Sequence, residues 1–206
     1  MMIVGLTGSI GMGKSTAARM LRQMGVPVYD ADANVHALQA PGGAALPEIE
    51  AAFPGVVKSG VLDRQALGAR VFGNKEALRR LEAIVHPLVR AAQGRFLRRA
   101  CRAGADLVVL DVPLLFETGG DRRVDAVAVV WASPLLQAQR ALRRPGMTAA
   151  KLASIRAQQL PDRLKLRRAD YVIPSGFDGG VLAAHVAAVI AAARRRPPRA
   201  WPPGQA

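Results

Sequence analysis

Residues 8–15 read Gly8-Ser9-Ile10-Gly11-Met12-Gly13-Lys14-Ser15, a match to G-x-x-x-x-G-K-[ST]. The run before it, residues 3–7 (IVGLT), is short, apolar and closed by a Gly-rich turn, as a buried strand would be. The run after it, residues 15–24, puts Ala18, Leu21 and Met24 on one helical face. Strand, glycine loop and helix in that order commit the chain to an α/β arrangement. The loop's N–H groups turn inward, and with the helix N-terminus behind them they favour a polyphosphate. Lys14 is then placed to reach the β- and γ-phosphates, and the Ser15 hydroxyl to ligate Mg²⁺. The alternative is a plain Gly-rich turn, and the flanking strand and helix count against it.

The rest of the chain repeats the strand–helix alternation. Residues 26–29 form a second expected strand, whose exit carries Asp30-Ala31-Asp32. From residue 35 to 104 the pattern turns helical. Asp63 caps a helix over 64–72, Asn74 caps the next with Glu76 in its first turn, and His86-Pro87 breaks that run so that a new helix starts at Pro87. Residues 107–110 (LVVL) end in Asp111 as a third strand, 126–131 (AVAVVW) make a fourth and 171–173 a fifth. Ser133-Pro134 and Thr148 start helices on either side of Pro145-Gly146. An Ala-rich helix covers 181–193. Short apolar strands without polar alternation, separated by helices, predict a parallel sheet covered on both faces. The proline-rich, aperiodic residues 196–206 are expected to be disordered.

The chain has 206 residues and 29 Lys and Arg against 15 Asp and Glu, a formal charge of +14. Such a surplus suits nucleic acid, an anionic membrane or a polyanionic small molecule, or reflects an Arg-rich compositional bias. Aromatic residues are only 4% of the chain, which leaves few stacking platforms and argues against nucleic acid. No apolar run is long enough for a membrane span, and Met1-Met2-Ile3-Val4-Gly5 lacks a signal peptide's basic start and cleavage site. The one cysteine, Cys101, excludes an intramolecular disulfide and fits a reducing, cytoplasmic setting. Arg95, Arg98, Arg99 and Arg102 share a helical face, which is read as solvated surface.

A phosphate loop alone separates neither kinases from GTPases nor either from motor ATPases. The chain is too short for most motors and lacks the Asn-Lys-x-Asp run of guanine-specific GTPases. A small-molecule kinase needs a carboxylate at the acceptor hydroxyl, an acid at another strand end, and mobile arginines over the phosphates. Asp30 and Asp32, two apart in an extended segment, point to one side and can orient or deprotonate a hydroxyl; the plainer reading is a polar turn with a helix cap. Asp111 ends its strand as a Mg²⁺-directed carboxylate does. The segment from Arg140 to Arg168 holds nine basic side chains and the single acid Asp162. It suits a lid that closes on phosphates, or a solvated helical surface. Two rivals stay open: another P-loop small-molecule or nucleoside kinase, and a non-catalytic NTP-dependent nucleic-acid-binding protein.

These residues resemble one family, the dephospho-CoA kinases. The resemblance runs in order along nearly the whole chain: VGLTGSIGMGKST from Val4, VYDADANVH from Val28, HPLVR from His86, LDVPLLFE from Leu110, QRALRRPGMT from Gln139 and RADYVIPSG from Arg168. It implies a P-loop NTPase fold of the nucleoside-monophosphate-kinase type, three layers α/β/α around a five-stranded parallel sheet. It implies one domain over 1–195, with a helical CoA-binding part over 33–104 and a lid over 134–168. It implies transfer of the γ-phosphate of ATP, with Mg²⁺, to the ribose 3′-hydroxyl of dephospho-CoA, by a monomer or small homo-oligomer with no nucleic-acid or membrane partner. Asp32, Lys14 and Arg140 are the expected catalytic residues. Gly11, Met12, Gly13, Lys14, Ser15 and Thr16, with Arg144 and Ser175, are expected at ATP. Asp30, Asp32, His86, Asp111, Pro113, Leu114, Leu115, Phe116 and Glu117 are expected at the acceptor, and Ser15 and Asp111 at the metal. Many members carry Arg four residues before a lid Gln; here Ile155 stands four before Gln159, with Arg156 beside it. Many have Glu before the next lysine, where this chain has Leu164 before Lys165, and many show Asp-Asn where this chain has Pro174-Ser175.

Overall fold

The chain runs β1 (Met2–Thr7), α1 (Lys14–Gln23), β2 (Val28–Asp30), α2 (Ala31–Leu38), α3 (Leu46–Ala52), β3 (Val57–Lys58), β4 (Val61–Leu62), α4 (Arg64–Val71), α5 (Lys75–Arg102), β5 (Leu107–Asp111), β6 (Ala126–Trp131), α6 (Pro134–Leu142), α7 (Ala149–Gln158), α8 (Asp162–Arg168), β7 (Tyr171–Pro174) and α9 (Gly179–Arg194). The computed structural model describes residues 1–201. They divide into two units, residues 1–29 with 98–201, and residues 30–97.

The first unit is built on a five-stranded parallel sheet of order β2-β5-β1-β6-β7. Its register pairs Met2 with Leu107, Leu6 with Asp111, Thr7 with Val129, and Trp131 with Pro174. Every residue of β1 and β5 is buried, which is why neither strand alternates polar with apolar. Val4, Leu6, Val109, Ala128 and Val130 face one way, into Leu21 of α1 and Val186 and Ile190 of α9. Val127 and Val129 face the other, into Leu115, Phe116, Leu160 and Leu166. Parallel strands end together, so the β1–α1 loop, Asp111, and the segments after β6 and β7 meet at one carboxyl edge, where open α/β sheets bind ligands.

The second unit packs Leu38, Leu46, Ile49, Phe53, Val56, Leu62 and Leu67 against Ile84, Leu88 and Val89 of α5. Asp63 caps α4 through the Ala66 N–H at 2.9 Å, and Asn74 accepts from the Ala77 N–H at 3.0 Å, as expected. Two expectations fail here. The region is not purely helical: β3 and β4 form a hairpin, Val57 opposite Leu62 and Lys58 opposite Val61. Strands of two residues carry no readable alternation. Nor does Pro87 break the helix, since α5 runs unbroken through it. A helix-interior proline costs about 3 kcal/mol; here Ile84, Val85, Leu88 and Val89, all buried or half-buried around it, hold the helix together.

The tail differs from expectation as well. Arg196 pairs with Asp170 at 2.6 Å, and the N–H groups of Arg199 and Ala200 donate to Asp125, the latter at 2.6 Å. The same Asp125 accepts from the Ile3 N–H at 2.7 Å, so residues 196–200 are tied to the amino-terminal edge of the sheet. Residues 202–206 of the expected disordered stretch lie outside the described residues. Among the described residues no helix is long and apolar enough to cross a membrane.

Candidate active site

The loop between β1 and α1 is shaped by two left-handed glycines, Gly11 at φ 79° and Gly13 at φ 88°. Both also sit too close to neighbours for any side chain. A Cβ on Gly11 would lie 2.6 Å from the Gln137 carbonyl oxygen, and one on Gly13 would lie 2.9 Å from Ser175 Oγ. Gly13 caps α1, so the N–H groups of Gly13, Lys14 and Ser15 open the helix where no intrahelical carbonyl is available. These donors, together with the helix dipole, make an anion cradle.

Lys14 Nζ lies 2.5 Å from Asp111 Oδ1, and the Asp111 side chain is only 4% exposed. The register that sets Leu6 beside Asp111 brings the two side chains together from 97 residues apart. The Ser15 hydroxyl sits on the exposed first turn of α1. Ser15 and Asp111 offer hard oxygen donors, which suit Mg²⁺. No group of three or more His, Cys, Asp or Glu side chains able to hold a metal exists among the described residues.

Arg140 of α6 donates to Ser175 Oγ at 3.0 Å and to the Ser175 carbonyl at 2.6 Å. Ser175 in turn donates to the Met12 carbonyl at 2.5 Å. Ser175 is therefore a buried link between α6 and the loop. Met12 belongs to the same link, its side chain buried and its sulfur accepting from the Ala132 N–H. Thr16 donates its N–H back to Gly13. Arg144 is exposed.

The segment after β5 does not present itself as a binding strip. Thr7 Oγ1 donates to the Pro113 carbonyl at 2.9 Å, and Leu114 is exposed. Leu115 and Phe116 are buried on the sheet's second face, where apolar side chains gain most, and Arg168 lies over the Phe116 ring at 4.6 Å. Glu117 pairs with Lys165 at 3.0 Å and accepts from the Leu160 N–H at 2.7 Å. Burial pushes the Glu117 carboxyl up, but the Leu160 amide and the Lys165 ammonium together outweigh it and hold the carboxyl below its usual range.

Asp30, Asp32 and His86 belong to the second unit. Asp30 and Asp32 do not share an extended segment. Asp30 caps α2, accepting from the Ala33 N–H at 2.9 Å, and Asp32 stands exposed in that helix's first turn. Helix capping by the first acid is what turns the chain immediately after β2. His86 is exposed on α5. Six residues to which the sequence assigns no site role also hold the loop: Ser9, Gln137, Arg156, Gln159, Asp162 and Lys165.

A phosphate cradle at the carboxyl edge of a parallel sheet, its lysine beside a strand-end aspartate and an arginine-bearing segment over it, defines a P-loop kinase. The model of the dephospho-CoA kinase family matches residues 2–177. The dephospho-CoA kinase of Paramagnetospirillum magneticum is 65% identical over 165 residues, 80% of this chain and 78% of its own length. That of Mesorhizobium japonicum is 56% identical, over 92% of this chain and 95% of its own. The crystal structure of TT1252 from Thermus thermophilus superposes with a TM-score of 0.81 at 34% identity, covering 93% of this chain and 96% of that one. The chain belongs to the dephospho-CoA kinase family. It is a kinase that phosphorylates dephospho-CoA in coenzyme A biosynthesis, with ATP as co-substrate and Mg²⁺.

Proposed function

We propose that the residues of the glycine loop and of the DAD segment perform this transfer in line, from ATP to the ribose 3′-hydroxyl of dephospho-CoA. The observation that carries the reading is the Lys14–Asp111 pair at the head of the cradle. The Gly11–Thr16 backbone and Lys14 hold the triphosphate, and the Lys14 ammonium turns from Asp111 to the β- and γ-phosphates. Ser15 and Asp111 would hold Mg²⁺, which would supply charge neutralisation on the phosphate oxygens. Asp32 accepts the hydrogen of the 3′-hydroxyl. The bond from that oxygen to the γ-phosphorus forms as the bond to the ADP oxygen breaks, and the proton leaves through Asp32. Arg144, exposed beyond α6, meets the phosphates from the lid, whereas Arg140 fixes the Ser175 loop. Positioning and fixed charge carry most of the rate, with the base a smaller factor. His86 and Leu114, both exposed, contact the acceptor. The enzyme works in the cytoplasm as a monomer or small homo-oligomer, and its partners are the two polyanionic substrates.

The test is ADP release with MgATP and dephospho-CoA, with the product checked by the mass of one added phosphoryl group. Adenosine and AMP run beside it as acceptors, and turnover confined to dephospho-CoA is expected. Asp32→Asn should lower kcat about 10²-fold or more. Near-normal kcat in that variant would remove Asp32 from the role of base.

A further inference from the structure

Lys165 has 0% exposure and is the largest fully buried side chain of the described residues. Burying an ammonium is costly, and an apolar side chain of similar size in such a place often leaves stability unchanged or improved. The charge here has specific work. Its donors meet Glu117 Oε1 at 3.0 Å and Ser9 Oγ at 3.2 Å. The Ser9 hydroxyl passes its own hydrogen to Asp162 Oδ1 at 2.5 Å. The next loop residue is gripped the same way. Its N–H donates to Gln159 Oε1 at 3.2 Å, and its carbonyl accepts from Gln137 Nε2 at 2.9 Å. Arg156 donates to Gln137 Oε1, and because a guanidinium has only donors it fixes which end of that amide faces Ile10.

The first half of the loop is thus tied to residues 156–165, while the N–H groups of Gly13, Lys14 and Ser15 open α1 without intrahelical acceptors. Lys165 is sealed from solvent and cannot itself reach a phosphate. We propose that Lys165 is a positioning residue for phosphoryl transfer: through Ser9 it holds the loop against the start of α8 and so fixes where the cradle's donors meet the transferring group. The proposal rests on reading the loop as the triphosphate site. A basic residue in the lid segment then acts on the loop's shape and not on substrate charge. Small displacements of such donors cost rate far more than binding.

The test compares Ser9→Ala, Ser9→Thr and the double variant Lys165→Met/Glu117→Gln, each read for Tm, KM for ATP and kcat. The double variant removes both charges together, so its Tm should stay within a few degrees of the parent. Its kcat should fall at least about tenfold, with KM for ATP moving less than about threefold. Ser9→Ala keeps the ion pair and should show the same split, and Ser9→Thr should restore most of kcat. If the double variant does not fold, the two Ser9 variants decide. A kcat within twofold of the parent in Ser9→Ala, or a kcat that tracks Tm through every variant, overturns the proposal. Parent turnover with dephospho-CoA is measured first. Should it be absent, the acceptor assignment falls, and the same ratios taken on slow MgATP hydrolysis still decide the role of Lys165.

Discussion

Replacing Gly11 by alanine separates two ways in which a side chain can be intolerable in the phosphate loop. Gly11 sits at φ 79° with the Gln137 carbonyl oxygen 2.6 Å from where a Cβ would stand. Gly25, after α1, has nearly the same backbone, φ 78°, with nothing within 4 Å of its would-be Cβ. Gly25→Ala therefore suffers the left-handed conformation alone, about 1–2 kcal/mol. In a chain of this size that lowers Tm by about 2–8 °C. Gly11→Ala suffers the same strain and also meets a helix carbonyl, which cannot yield unless α6 shifts. Overpacking of that kind adds about 1–3 kcal/mol, for a total of about 2–5 kcal/mol. Because α6 also carries Arg140, the shift should reach the Ser175 link and the cradle together. Urea unfolding with an unchanged slope gives the stability difference, and kcat and KM for ATP give the rest. Gly25→Ala should keep normal kinetics, while Gly11→Ala should lose kcat/KM by about 10²-fold. Equal unfolding midpoints for the two variants, with normal kinetics in both, would refute the close approach of α6 to the loop.

Lys14→Met should lower kcat by about 10²-fold or more; a loss of only a few-fold, by the coupled ADP assay, would detach Lys14 from the phosphates. The depressed Glu117 carboxyl contributes stability that is fully present above its unfolded pKa, about 4.3, and is lost as pH falls through the lower folded value. Tm followed from pH 6 to pH 3 should therefore fall less steeply in Glu117→Gln than in the parent, and parallel curves would contradict it. Deleting everything after Arg194 removes the contacts of Arg196, Arg199 and Ala200 with Asp170 and Asp125 at the sheet edge away from the site. It should cost about 1–2 kcal/mol, read as a drop in Tm with unchanged kcat; an unchanged Tm would mean the tail contacts contribute nothing.

The sheet, its parallel sense and the loop were legible because each is local. Five apolar runs, a glycine pattern and strand-end acids stand in the sequence side by side with the turns that join them. The hairpin of residues 57–62 was not legible, because two-residue strands carry no period. The unbroken α5 was not either, because burial on both sides of Pro87 outweighs a local penalty that the sequence displays openly. The DAD segment illustrates a tie decided by context. An acid at the end of a strand can be a base or a cap, and Asp30 turned out to be spent on the Ala33 N–H, leaving Asp32 exposed one residue into the helix.

The lid segment shows the limit most plainly. In sequence its nine basic side chains are interchangeable, and counting them suggests one surface aimed at phosphates. In space they separate by partner. Arg140 serves the Ser175 loop, Arg156 an amide, Arg168 a phenyl ring and Asp121, and the buried Lys165 serves Glu117 and Ser9. Nothing local marks Lys165, since a lysine between two leucines looks like any amphipathic helix face. Its partners stand 48 and 156 residues away, and only the closing of the sheet brings them together. Arg143, Arg144, Arg163 and Arg167 have no such side-chain partner among the described residues and are exposed. The charge left for substrate is thus smaller and more localised than the composition implies. A lid that commits four of its nine cations to shape should therefore discriminate acceptors by geometry as well as by charge.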